Sequence, residues 1–95
     1  MSIININSNV KEHIHSYTKQ IKGIENNIPL QNEVAEVIAD YIKQDYNLSL
    51  NYNLLEINNC LISYNNYWPH WELDTPTGSF YFKQFKDALD DAIRH

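Results

Sequence analysis

Hydrophobic positions along the chain recur with two different periods, and the changes of period divide it into elements. Val10, Ile14, Tyr17, Ile21 and Ile24 follow one another at spacings of 4, 3, 4 and 3, which lays a single apolar stripe along a helix. Asn9 stands where it can cap that helix, with Glu12 three residues on as the second half of a capping box. Gly23, able to adopt a left-handed backbone, ends it. A second helix is predicted from about Pro29 to Asp45, since Pro29 suits a first helical position where its missing N–H has no partner to lose. Leu30, Val34, Val37, Ile38, Tyr41 and Ile42 form its buried face. Glu33, Glu36 and Asp40 fall within about 60° of one another on the opposite side, at ~100° per residue.

After Asn47 the period shortens to two. Leu48, Leu50, Tyr52 and Leu54 alternate with Asn47, Ser49, Asn51 and Asn53, predicting a half-buried strand; a short apolar helix through "NLLEINN" is the alternative. Cys60, Ile62 and Tyr64 mark a second β stretch, closed by a turn at Asn65 and Asn66. "YWPHWELD" and "SFYF" then read as the arms of a hairpin around "TPTG", with Pro76 at the second position of a type I turn and Gly78 in a closing bulge. Pro69 cannot donate to a ladder and belongs at a strand start or sheet edge, where an open edge leaves room for a dimer.

On the first arm Trp71 and Leu73 face one way and His70, Glu72 and Asp74 the other; on the second, Phe80 and Phe82 oppose Tyr81. The last segment, "KQFKDALDDAIRH", repeats Phe85, Ala88, Leu89, Ala92 and Ile93 at helical spacing and turns Asp87, Asp90, Asp91 and Arg94 to solvent. The predicted fold is α+β, a small single domain over residues 1–95 in the order α-α-β-β-β-α: an antiparallel sheet with a C-terminal hairpin and a closing helix.

Composition sharpens the reading of the aromatics. Residues 64–85 hold both tryptophans, all three phenylalanines and three of the seven tyrosines. A chain of 95 residues needs most large apolar side chains inside. Strand phase and helix period assign Trp71, Phe80, Phe82 and Phe85 to the core. Tyr46, Tyr64, Tyr67, Trp68 and Tyr81 fall on mixed or outward phases. Tyrosine and tryptophan anchor protein interfaces, so Tyr67, Trp68 and Tyr81, with Glu72 and Asp74, read as an interaction surface.

Twelve acidic residues against seven Lys and Arg give a net charge of -5, and the basic residues do not cluster. The cationic footprint of direct nucleic-acid binding is missing, and a basic protein partner is favoured. No Ser-His-Asp or Cys-His arrangement has supporting context, and with glycine only at 23 and 78 there is no phosphate-cradling loop. The reading is therefore a binding protein without catalytic residues, metal or cofactor.

His13 and His15 lie about 200° apart on a helix and cannot share a metal. His70, Glu72 and Asp74, aligned on one strand face, are the third reading, a small metal-dependent enzyme or sensor, set against a plain solvated face. Cys60, alone in an apolar stretch, is a small hydrophobe suited to a reducing compartment. The N-terminus has neither basic n-region nor apolar h-region, which predicts a cytoplasmic protein. The abundance of Asn and Ile fits AT-rich coding in a bacterium or one of its mobile elements.

The segment "WELDTPTGSFYFKQFKDALDDAI", residues 71–93, resembles the ends of many small phage- and mobile-element-encoded proteins, in which a hairpin with a Pro-x-Gly turn leads into a closing helix. As a short, acidic, Asn-rich chain without motifs, the protein is similar to the anti-CRISPR and anti-restriction inhibitors as a class. The likeness transfers no functional residue. It implies a stoichiometric inhibitor that presents carboxylates where a nuclease or CRISPR effector expects phosphates. Glu33, Glu36 and Asp40 on one helix and Asp87, Asp90 and Asp91 on another would then pair with Lys and Arg of a nucleic-acid channel. An immunity protein that neutralises a toxin such as a basic nuclease is the alternative.

Overall fold

Helical periods early in the chain and strand periods later build two layers. The computed structural model describes residues 8–51, 54–65, 67–68 and 70–95. Helices α1 (Ser8–Gln20) and α2 (Ile28–Lys43) come first. Strands β1 (Ser49–Asn51), β2 (Leu54–Ile57), β3 (Cys60–Asn65), β4 (His70–Thr75) and β5 (Gly78–Phe82) follow, and α3 (Phe85–Ile93) closes the chain. This is the predicted α+β order, with five strands in the sheet. Each strand pairs antiparallel with its sequence neighbour, in the order β1-β2-β3-β4-β5. Leu50, Leu55, Ile57, Cys60, Ile62, Trp71 and Leu73 point to one face. There they join Ile14, Tyr17, Ile21, Val34, Ile38, Tyr41, Phe85 and Leu89 of the helical layer in one buried cluster.

The predicted apolar stripe is buried from Ile14 to Ile24, with Val10 partly so, although the helix runs only from Ser8 to Gln20: Asn9 lies inside the first turn and cannot cap it, and Ile21 and Ile24 follow its end. Gly23 follows the helix with φ 103, the left-handed backbone expected of it. Asn27 caps α2, its Oδ1 accepting from the Leu30 N–H at 3.1 Å, and Pro29 sits in the first turn. The helix stops at Lys43, and Asp45 turns left-handed with φ 74. Buried Gln31 donates through Nε2 to the carbonyls of Ile24 (2.8 Å) and Glu25 (2.9 Å), which satisfies the backbone of the α1–α2 connection.

The run predicted as one strand over residues 48–54 is divided. Asn51 pairs with Leu54 and Leu50 with Leu55, so the chain reverses between them and the inward phase passes to Leu55 and Ile57. Leu54 is turned outward. Tyr52 and Asn53 lie outside the described residues, as do Asn66 and Pro69 with the turn and edge assignments made for them. The alternative helix through "NLLEINN" is not adopted, because Leu54–Ile57 is the second strand.

A turn that the sequence reading passed over links β2 to β3. Asn58 and Asn59 have φ 53 and 62 between the paired residues Ile57 and Cys60, the two left-handed positions of a tight hairpin turn that asparagine tolerates. Asn58 Nδ2 also donates to the carbonyl of Ile93 at 3.0 Å, capping the end of α3. At the predicted "TPTG" hairpin, Thr75 pairs directly with Gly78 and the register continues to Asp74 and Ser79, without the extra residue of a bulge. Thr75 Oγ1 donates to the Gly78 carbonyl at 2.8 Å and accepts from the Thr77 N–H at 3.2 Å.

Phe80 departs from its assignment to the core. It points inward opposite Leu73, yet it is 43% exposed, because β5 is the edge of the sheet and α3 covers the strands further in. Its ring neighbour is His95, with centroids 6.3 Å apart. Trp71 and Phe85 are fully enclosed, edge to face at 4.9 Å, and Phe82 packs half-buried against them. Among the described residues no helix is long and apolar enough to cross a membrane.

Candidate protein-binding surface

Among the described residues, the three helices lie on one side of the sheet and nothing covers the other. Its residues stand in cross-strand rows: Ser49, Glu56, Leu61, Asp74 and Ser79 in one, Ser63, Glu72 and Tyr81 in the next, then Asn65 and His70. Glu56, Glu72 and Asp74 give this face three carboxylates, and none of its strand positions carries Lys or Arg. At the β4 end, the Trp68 ring packs against His70 (centroids 5.1 Å) and edge-on against Tyr81 (5.9 Å, 61°). Trp68 is 58% and Tyr81 48% exposed, and Tyr67 is wholly so. The Tyr67 N–H donates to Asn65 Oδ1 at 3.0 Å, fixing the backbone that presents the pair.

Electrostatics on this face are strained in one direction. Glu72 is pushed above the ordinary carboxylate range, first by desolvation and then by the negative charge of Asp74 and a hydrogen bond with it; the Tyr81 hydroxyl partly offsets this. Asp74 accepts from Ser79 Oγ at 2.6 Å. A cation laid across Glu72 and Asp74 would relieve the repulsion between them, and the faces of Trp68 and Tyr81 would attract the same cation. His70 Nδ1 is buried with no hydrogen-bond partner among the described residues.

The structure divides the predicted binding residues between two layers. Trp68, Glu72, Asp74 and Tyr81 gather at the open sheet face and Tyr67 lies in the connection between β3 and β4, whereas Glu33, Glu36, Asp40, Asp87, Asp90 and Asp91 belong to the helical layer. Glu33, Glu36 and Asp40 are exposed on α2, and Asp40 accepts from Gln44 at 3.2 Å. Glu33 shares a cleft of about 200 Å³ with Lys86 and Asp87. Asp90 and Asp91 are not the solvated carboxylates their helical phase implies. Asp90 accepts from the Tyr41 hydroxyl and from Lys86 Nζ at 2.9 Å, and Asp91 lies 3.4 Å from His95 Nε2 and 3.8 Å from Arg94. Burial pushes the Asp90 carboxyl up, but the hydrogen bonds from Tyr41 and Lys86 outweigh it and leave it below its usual range. Asp90 thus ties α2 to α3.

Among the described residues no three His, Cys, Asp or Glu side chains are placed to hold a metal ion. His70, Glu72 and Asp74 stand in file along β4, about 7 Å apart by strand geometry, and do not converge. Two hollows of about 320 and 410 Å³ open beside α1, the first against His15 and Glu36, the second against His13, Tyr46 and Leu50. Neither touches the aromatic and acidic face. Glu56, which completes that face, escaped the sequence reading because the undivided strand through Leu54 inverted the phase of everything up to the Asn58–Asn59 turn. Comparison of the chain with protein-family models, curated proteins and solved structures finds no match in any of the three.

Proposed function

We propose that the protein is a stoichiometric inhibitor that binds a nucleic-acid-handling bacterial defence protein or complex in the cytoplasm. It acts by occupation of a basic surface, without catalysis, cofactor or direct contact with nucleic acid. The observation that carries this reading is the open sheet face, where three carboxylates and the rings of Trp68 and Tyr81 lie together without a strand-borne cation. Carboxylates recur about 7 Å apart along β4 and about 10 Å apart across two strand spacings, an array of negative charge of the kind a phosphate-binding surface accepts. Exposed Trp and Tyr beside it supply the apolar anchoring that charge alone does not.

Affinity capture from the native host followed by mass spectrometry identifies the partner, and titration of the purified pair tests the chemistry. Binding is expected to weaken steeply from low to moderate salt. Trp68→Ala is expected to cost about 2 kcal/mol or more, as at a hot spot, and Glu72→Gln with Asp74→Asn to flatten the salt dependence. Salt-independent binding, or binding indifferent to both changes, overturns the proposal. A captured toxin would assign the same surface to an immunity protein instead.

A further inference from the structure

The two edges of the sheet are unlike. β1 is three residues long, with polar Ser49 and Asn51 around one leucine, and an edge so short offers little template to another chain. β5 runs five residues, "GSFYF", and pairs only with β4 among the described strands. Within Gly78–Phe82 there is no charge, no proline and no bulge to guard the edge. Alternate residues of an antiparallel strand turn their amides to opposite sides, so half the N–H and C=O groups of β5 face away from β4. Phe80 on one face and Tyr81 on the other are both exposed.

β5 carries no charged residue in a chain of net charge -5. A second β5 can therefore lie antiparallel beside it with no like charges opposed. Around a two-fold axis through Phe80, that residue meets the partner's Phe80, Tyr81 faces the partner's Ser79, and Phe82 faces the partner's Gly78. Large residues meet small ones except at the axis, where two exposed rings cover each other. Self-complementarity of this kind is what an isologous interface requires.

We infer that β5 is the dimerisation edge of this protein, joining two copies into one continuous antiparallel sheet. The nearest strand-borne carboxylates then lie on the two β4 strands, three strand spacings or about 14 Å apart, beyond the screening length of ~8 Å at physiological salt. Asp91, on the helix above, is already paired with Arg94 and His95. Residual repulsion between two chains of net charge -5 is relieved by salt. Self-association therefore strengthens as salt rises, opposite in sign to the binding of a basic partner, and does not depend on that reading.

Sedimentation equilibrium of the whole chain, in about 0.05 M and about 0.5 M salt, is expected to give a mass that rises toward twice the monomer with concentration, further at the higher salt. Phe80→Cys tests the register. At the axis the two Cα atoms are about 4.5–5.5 Å apart, within disulfide reach, so mild oxidation links the chains; Ser79→Cys, opposite Tyr81, does not link, and buried Cys60 gives no background. Phe80→Lys is expected to weaken self-association about tenfold or more with circular dichroism unchanged. A monomer at every concentration and salt overturns the inference. So does a dimer that ignores Phe80→Lys, or one in which Ser79→Cys links as fast as Phe80→Cys. A strand of another protein found on β5 while this chain alone stays monomeric also overturns it.

Discussion

Trp68 and Trp71 are three residues apart and do different work. Trp71 is enclosed between Tyr64 and Phe85, so Trp71→Ala or Phe85→Ala is expected to cost about 3–5 kcal/mol, enough to unfold a domain of this size. Tyr67→Ala and Trp68→Ala should leave the melting midpoint within about 3 °C of wild type. Phe80→Ala should cost about 1 kcal/mol, far less than Phe85→Ala, since much of the ring is already in solvent. Urea titrations of the five variants check the ranking. Strand phase in the sequence was enough to separate Trp71 from Trp68, but phase states only which way a side chain points. How far α3 reaches over the sheet is a tertiary property, and Phe80 was misread for that reason.

Glu72 makes a prediction in pH. Its folded pKa is raised, so its contribution to stability is fully present below the unfolded value and is lost as pH rises through the folded one. At neutral pH the ionised group therefore costs stability. Glu72→Gln is expected to melt above wild type at pH 7, with the gap closing as pH falls toward about 4.3, measured by thermal unfolding across that range. A gap constant with pH would contradict it.

At the scale of elements, the three helices and the β4–β5 hairpin were legible because each carries one uninterrupted period and a recognisable stop. The β1–β2 and β2–β3 hairpins were not. The apolar alternation of Leu48, Leu50, Tyr52 and Leu54 looks continuous across the reversal between Asn51 and Leu54, and the Asn58–Asn59 turn lacks the glycine that advertises most turns of its type. Because Asn59 holds φ 62, a conformation that costs most side chains ~1 kcal/mol or more and glycine nothing, Asn59→Gly is expected to stabilise by about 0.5 kcal/mol in denaturant unfolding. Asn58 should not tolerate the same change as well, since its side chain also holds the end of α3.

Across the whole molecule, the sequence announced acidity but not its division. Charges spaced along α2, α3 and β4 look like one pool until the layers are assembled, when the helices take one side of the sheet and the open face the other. One flat partner surface cannot meet both. Neutralising Glu33, Glu36 and Asp40 together should therefore leave the affinity for a captured partner within about threefold of wild type, less than the ~1.4 kcal/mol of a tenfold change, while Glu72→Gln with Asp74→Asn weakens it. Titration calorimetry on the two variant sets checks the contrast. A loss confined to the helical set would move the binding surface to α2.

Cys60 pairs with Ile57 across the Asn58–Asn59 turn and is fully enclosed, its thiol raised by desolvation first and by nearby Asp91 next. Burial of this sort turns the chain's only thiol into a clock. A soluble disulfide reagent can consume it only in the moments when α3 lifts from the sheet, so the labelling rate counts those openings directly. Asn58→Ala, which releases the last carbonyls of α3, should quicken the labelling more than it lowers global stability. Equal effects on both would mean that the closing helix leaves only when everything else does.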